Sequence, residues 1–260
     1  MQAGLNAMQA ALDAAITPVP FFLRDDDAGW GDARLYALLD CTERAGVPID
    51  LAVIPQAAHG LLAQALCARI DAAPDLVGVH QHGFAHQNHE TVERKCEFGN
   101  TRNIDDQHDD LCAGRGRLRN MFEHRLDAIF TPPWNRCSIT TPTLLAELGY
   151  CALSRDRSAP TQNALPELRV DVDWSKQRKF DGNGADRIGF ELARRIGMGA
   201  PIGLMLHHAE MDAEDLILLS TLLKVLGKHA RTQFLPMREL ISQRLLLAPT
   251  RPAEHQREFS

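Results

Sequence analysis

Residues 49–86 read IDLAVIPQAAHGLLAQALCARIDAAPDLVGVHQHGFAH. The segment opens on an apolar, partly β-branched run, Ile49 to Ile54, which Pro55 ends because proline has no N–H to continue a ladder. Gly60 to Ile70 carries apolar residues at helical spacing, and Leu76 to His80 is a second strand-like run. Strand, helix, strand in this order is a βαβ unit, and it predicts parallel pairing.

The same alternation extends in both directions. Upstream lie a helix over Ala7–Ala15, a short strand over Phe21–Arg24 and a helix over Asp32–Arg44 that stops at Gly46. Downstream, Asp105–Leu126 reads as a long helix weakened by Gly114 and Gly116. Strands follow at Ala128–Phe130, Tyr150–Leu153, Leu168–Val172, Ile202–Leu206 and Gln233–Leu235, with helices at Pro142–Leu148, Ala213–Leu226 and Pro236–Leu245. Seven or eight such units fit a (β/α) barrel better than an open doubly wound sheet, and no glycine-rich phosphate loop follows the first strand. The reading gives a single α/β domain over residues 1–248, N-terminal helix included, and a polar, flexible tail over 249–260.

The chain has 260 residues, 45% hydrophobic and 24% charged, which excludes a disordered chain, a collagen and a coiled coil. A net charge of -6 argues against a nucleic-acid binder, which needs clustered Lys and Arg. The six cysteines are scattered without a C-x-x-C pair, so they predict free thiols in a reducing compartment rather than a zinc finger. With neither a signal peptide nor an apolar stretch of about 18 residues, the expectation is a cytoplasmic protein without a membrane span. A homo-oligomer is left open.

Polar groups gather just after the strands, on what would be one rim of a barrel, where such folds build their active sites. Arg24-Asp25-Asp26-Asp27 follows the first strand; it reads either as a solvated loop or as a metal ligand beside a general base. His80, His82, His86 and His89 crowd ten residues after the third. Neutral imidazole is a frequent metal ligand, and a helical turn would bring His82 and His86 to one face. Thr131-Pro132-Pro133-Trp134-Asn135-Arg136 is a rigid turn that could present an N–H and an aromatic wall to a ligand, or simply pack a tryptophan. Asp171-Val172-Asp173-Trp174 ends another strand, where an acid could orient a histidine or cap a helix. Leu206-His207-His208 ends the penultimate one, where a histidine could equally be a satisfied core residue.

In order, these stations resemble the five motifs of the polysaccharide deacetylases, the NodB-homology carbohydrate esterases, over most of the chain from about Phe21 to Glu210. The resemblance implies a distorted (β/α)7 barrel and a divalent metal held by Asp27, His82 and His86, with Asp26 as general base. It implies that Pro133-Trp134 forms the third motif, Asp173-Trp174 the fourth and Leu206-His207 the fifth. The family's third-motif arginine is missing, with Thr131 in its place, so that either Arg24 or Arg136 would orient the base. The extra acid, Asp25, leaves the register of the first motif open, and the doubled His207-His208 leaves the acid open.

By that resemblance the chain is a hydrolase that removes an N-acetyl group, less readily an O-acetyl group, from a sugar or soluble glycan precursor. Zinc suits the mixed ligand set, and cobalt, nickel or iron would fit. Asp26, His207, Asp173 and the backbone N–H of Trp134 would act as base, acid, acid-orienting group and oxyanion donor. Arg24, Pro133, Asn135 and Trp174 would contact substrate, with Trp134, Trp174 and Trp30 available to stack on a sugar ring. Two other readings compete. His80-Gln81-His82 resembles the H-x-H of metal-dependent amidohydrolases, which act on other C–N bonds, and the missing arginine would permit a non-catalytic sugar-binding barrel.

Overall fold

Seven parallel strands close on themselves. They are β1 (Val19–Ala28), β2 (Ile49–Val53), β3 (Val77–His82), β4 (Leu126–Thr131), β5 (Ala152–Asp156), β6 (Glu167–Asp173) and β7 (Ile202–Leu206). Each pairs with the next, and β1 also pairs with β7, which completes the ring. An eighth strand, β8 (Thr232–Phe234), runs beside the start of β1, pairing Val19 with Thr232 and Phe21 with Phe234. From Arg24 onward the same edge of β1 belongs to β2. The result is the expected distorted (β/α)7 barrel, with β8 wedged into the lower part of the β1–β2 seam. This computed structural model describes residues 2–180, 184–198 and 201–247. The tail expected over Pro249–Ser260 lies outside them.

The helices are α1 (Gln2–Ala14), α2 (Asp32–Ala45), α3 (Gly60–Ala72), α4 (Ile104–Phe122), α5 (Thr141–Glu147), α6 (Trp174–Arg178), α7 (Gly184–Ile196), α8 (Ala213–Gly227) and α9 (Met237–Leu247). Two were not expected, α6 and α7. Helix α7 buries Ile188, Leu192 and Ile196, one stripe at i, i+4 and i+8, but Gly184 and Gly189 interrupt its sequence signal. Gly189 is there for contact: a Cβ on it would come within 2.3 Å of the Gly4 backbone, so the glycines let α7 and α1 touch. None of the helices among the described residues is long and apolar enough to cross a membrane. All six cysteines are free.

The pleat sorts β1 into two layers. Phe21 and Leu23 pack outward against the helices, in one cluster with Leu51, Val53, Leu219 and Leu223. Phe22 points into the barrel with Ile129, Ala152, Val170 and Met205. Burying each such side chain stabilises the fold by roughly 1.5–3 kcal/mol. The alternation decides which acids reach the lumen.

Candidate active site

β1 runs four residues beyond its expected end and carries the acids into the sheet, so the solvated-loop reading fails: Asp25 is 0% exposed and Asp26 2%. Alternation puts Arg24 and Asp26 on the lumen side with Phe22, and Asp25 on the helix side. Asp27 would also face outward, but the β1–β2 register slips by one residue between Asp25 and Ala28. Asp27 sits in that bulge with φ 71°, in the left-handed region, and its carboxylate swings to the rim.

There it meets two histidines. His82 Nε2 and His86 Nε2 each lie 3.1 Å from Asp27 Oδ1, and one ligand atom from each of the three residues lies within 4.8 Å of the others. His82 ends β3. His86 does not follow on a helical turn, as the spacing had suggested, but on a loop that bends at Gly83 (φ 54°) and holds His86 itself at φ 55°. Gly83 leaves room for Pro133, whose ring would lie 2.6 Å from an added Cβ. The loop is fastened from behind by Glu97, a fully buried carboxylate that accepts the N–H groups of Phe84, Ala85 and Gln87.

The donor set suits a cation. His82 Nδ1–H donates to the Thr131 carbonyl at 3.0 Å, so a neutral His82 ring turns its Nε2 lone pair toward Asp27. Two acceptors facing each other at 3.1 Å repel unless a proton or a shared metal ion lies between them. Burial works against the charge of Asp27, but the two histidines outweigh it and hold the carboxyl below its usual range. His80 stands apart from the cluster. Its Nε2 bonds Thr131 Oγ1 at 2.8 Å, and burial keeps it neutral, with a pKa near 3.

Asp26 is gripped by Arg24. Nε and Nη2 of the guanidinium donate to its two oxygens at 2.8 and 2.9 Å, while Nη1 donates to Ser154 Oγ and Nη2 also to Asn135 Oδ1. Burial alone would raise the pKa of Asp26; the charge of Arg24, with His82 and His207 nearby, outweighs it and keeps the carboxyl ionised. Arg24, expected at the substrate, is itself fully buried. Of the two arginines left open, Arg24 is the one bonded to Asp26, and the Arg136 guanidinium instead reaches the Lys95 carbonyl.

No protein-family model matches this chain, and neither does any curated protein. Solved structures do. A candidate polysaccharide deacetylase from Mycobacterium smegmatis superposes with a TM-score of 0.70 at 17% identity, over 92% of this chain and 96% of that one. An acetyl xylan esterase of family 4 from Clostridium thermocellum, in complex with a cobalt ion, gives 0.56 at 13% over 88% and 93%. A family 4 pseudoenzyme from Bacillus anthracis gives 0.57 at 14% over 87% and 66%.

The chain has the polysaccharide deacetylase fold.

On this barrel the doubled histidines separate by the same pleat as the acids. Met205 and His207 alternate inward, and His207 lines the cavities beside Asp173. His208 turns outward, where Nδ1–H donates to Asp25 Oδ2 and Nε2–H to the Trp30 carbonyl, both at 2.6 Å. Burial opposes its charge, but Asp25 prevails and lifts its pKa to about 9. Asp25 and His208 therefore form a buried brace between β1 and the turn after β7, and His207 is the histidine left facing the lumen.

Three further residues stand elsewhere than the resemblance implied. Trp174 is 2% exposed, packed in the outer core with its indole N–H on Asp215, so it offers no sugar platform. Asp173 accepts the Lys176 N–H as the cap of α6, whereas the buried Nδ1 of His207 has no hydrogen-bond partner, so the expected Asp173–His207 bond is absent from this structure. Pro133 is buried against Gly83 rather than open to a ligand. Trp134 and Trp30 flank His86, with ring centroids 4.5 and 5.0 Å away, and Trp30 remains 43% exposed. Asn135 lines the cavity while its carboxamide oxygen holds Arg24. Asp27, His86, Trp134 and Asn135 all have positive φ, a concentration of backbone strain that marks a built site.

Proposed function

We propose that this chain is a divergent member of the polysaccharide deacetylase family, a metal-dependent hydrolase that removes an acetyl group from a sugar nitrogen. The observation that carries the reading is the convergence of Asp27, His82 and His86 on one point beside the clamped Asp26. A divalent ion held by these three residues would polarise an acyl carbonyl and make water more acidic. Zinc suits two nitrogens and one oxygen, and cobalt, nickel or iron fit as well.

Asp26 takes the proton from the attacking water. Arg24 keeps that carboxylate ionised and fixes the direction of its free lone pairs. The amides of Asn135 and Arg136 close their turn on the carbonyls of Pro132 and Pro133, and the strained Trp134 between them offers its N–H to the developing oxyanion. His207 delivers a proton to the leaving nitrogen from the lumen side of β7. Asp173 stands on the same cavity wall. Trp30 and Trp134 shield His86 and give a sugar ring apolar surfaces to rest on. The six free thiols support a reducing, cytoplasmic setting, and with it a soluble glycan precursor as substrate.

The test is metal analysis of the purified protein together with an acetate-release screen over N-acetylated sugars. Stoichiometric metal and metal-dependent acetate release are expected. A metal-loaded protein that binds sugars but releases no acetate would instead establish a non-catalytic barrel.

A further inference from the structure

Beside His207 and Trp134 opens a cavity of about 480 Å³, within the range of small-ligand sites. Its wall carries four cations, Arg94, Arg136, Arg157 and Lys176, against three carboxylates. Those carboxylates have donors of their own. Asp171 is buried and paired with Arg157 and Arg195. Asp173 accepts the Lys176 N–H, and Asp156 accepts the N–H and hydroxyl of Ser158.

Arg94, Arg136 and Lys176 are left. Among the described residues no carboxylate lies within 4.0 Å of any of the three, and the Arg136 guanidinium donates only to the Lys95 carbonyl. Burial and the nearby charge of Arg94 both lower the pKa of Arg136, with Asp156 offsetting this only in part. Guanidinium groups that repel each other at the wall of a cleft, in a chain of net charge -6, are poorly matched until an anion arrives. The planar fork of arginine suits a group that offers two oxygens, which phosphate and carboxylate both do.

We infer that the acyl sugar received in this cavity carries an anionic group, phosphate or carboxylate, which Arg94, Arg136 and Lys176 hold while the acetamido group meets Asp26 and His207. The inference rests on the deacetylase reading of the adjacent site and narrows its substrate class. A neutral polymer would leave the three cations unmatched.

The experiment uses the metal-loaded full chain and reads binding and turnover separately. The ligands are N-acetylglucosamine, its neutral oligomers, its 1-phosphate and 6-phosphate, and N-acetylmuramic acid as the carboxylate arm. Binding is followed by calorimetry and tryptophan fluorescence, turnover by acetate release. At least one anionic sugar is expected to bind ten-fold or more tightly than its neutral counterpart, with the advantage shrinking as salt rises. The anionic-to-neutral preference should fall about ten-fold in Arg136→Ala and in the exposed variant Arg94→Ala. Neutral sugars binding and reacting as well as every anionic one would overturn the inference and leave the deacetylase reading standing. So would an anionic preference unchanged in both variants. Preferential binding of the anionic sugars without acetate release from any ligand would keep the anion site and remove the deacetylase reading.

Discussion

Arg24 and Asp26, two residues apart on one strand, face each other through two parallel hydrogen bonds of 2.8 and 2.9 Å inside the barrel. The strand's own pleat brings them to the same side, so the clamp on Asp26 needs no second strand to aim it. Arg24→Lys keeps the charge but cannot form the fork. We expect kcat to fall about 100-fold or more with KM little changed, and the acidic limb of the pH–rate profile to move upward as the carboxyl loses its partner. Arg24→Ala would leave Asp26 buried and unpaired, and should lower stability by about 3–5 kcal/mol in denaturant titration.

His80 and His86 discriminate between two ligand schemes. His86→Ala should purify with little or no metal, whereas His80→Ala, whose ring sits on Thr131 Oγ1, should retain it. Plasma emission spectroscopy of the two variants decides; metal lost from His80→Ala and kept by His86→Ala would reassign the ligands.

Glu97 is bonded to none of Asp27, His82 and His86, yet it anchors the loop that presents His86. Replacement by Gln turns one acceptor into a donor facing backbone N–H groups. Metal affinity is expected to drop about 10- to 100-fold, as it does when a group supporting a ligand is lost, with little change in far-ultraviolet dichroism. Chelator competition measures it.

Far from the site, Asp50 and Asp127 form an acidic pair, Asp50 fully buried and Asp127 partly so. Burial, and for Asp50 also the neighbouring charge of Asp127, lifts the two carboxyls to about 7 and about 6. Carboxyls raised in the folded state bind protons more tightly there than in the unfolded chain. Their stabilising contribution is complete below pH about 4 and is lost as pH rises through 6 to 7. Asp50→Asn keeps an acceptor for the Met237 N–H and removes the charge. It should stabilise the protein at pH 8 on the order of 2–4 kcal/mol relative to its effect at pH 4, in urea titrations at the two pH values.

Much of this was legible in the chain. The strand positions followed from β-branched runs stopped by Gly and Pro, and the chemistry-bearing residues followed from where those runs end. What resisted was orientation. Asp25, Asp26 and Asp27 are chemically the same, and only the pleat plus a one-residue bulge sends the first to His208, the second to Arg24 and the third to His82 and His86. Trp174 looked like a ligand platform because it follows an acid at a strand end; its actual partner, Asp215, is distant in sequence and carries no local signal. Glu97 lies in the irregular stretch between β3 and α4. Its three bonds run to backbone amides, which no sequence pattern records.

The pairing of β1 with β7 and β8 has a further consequence for how the molecule is made. Phe21 must find both Ile202 and Phe234, and the Asp25–His208 brace joins residues 183 apart. During synthesis the first strand emerges with one edge unsatisfied and keeps it so until β7 and β8 have also left the ribosome. Contacts of such long range slow folding, and an apolar edge exposed meanwhile invites association with other nascent chains. Yield that falls as expression temperature rises, and recovers with added chaperone, is the expected consequence of this topology.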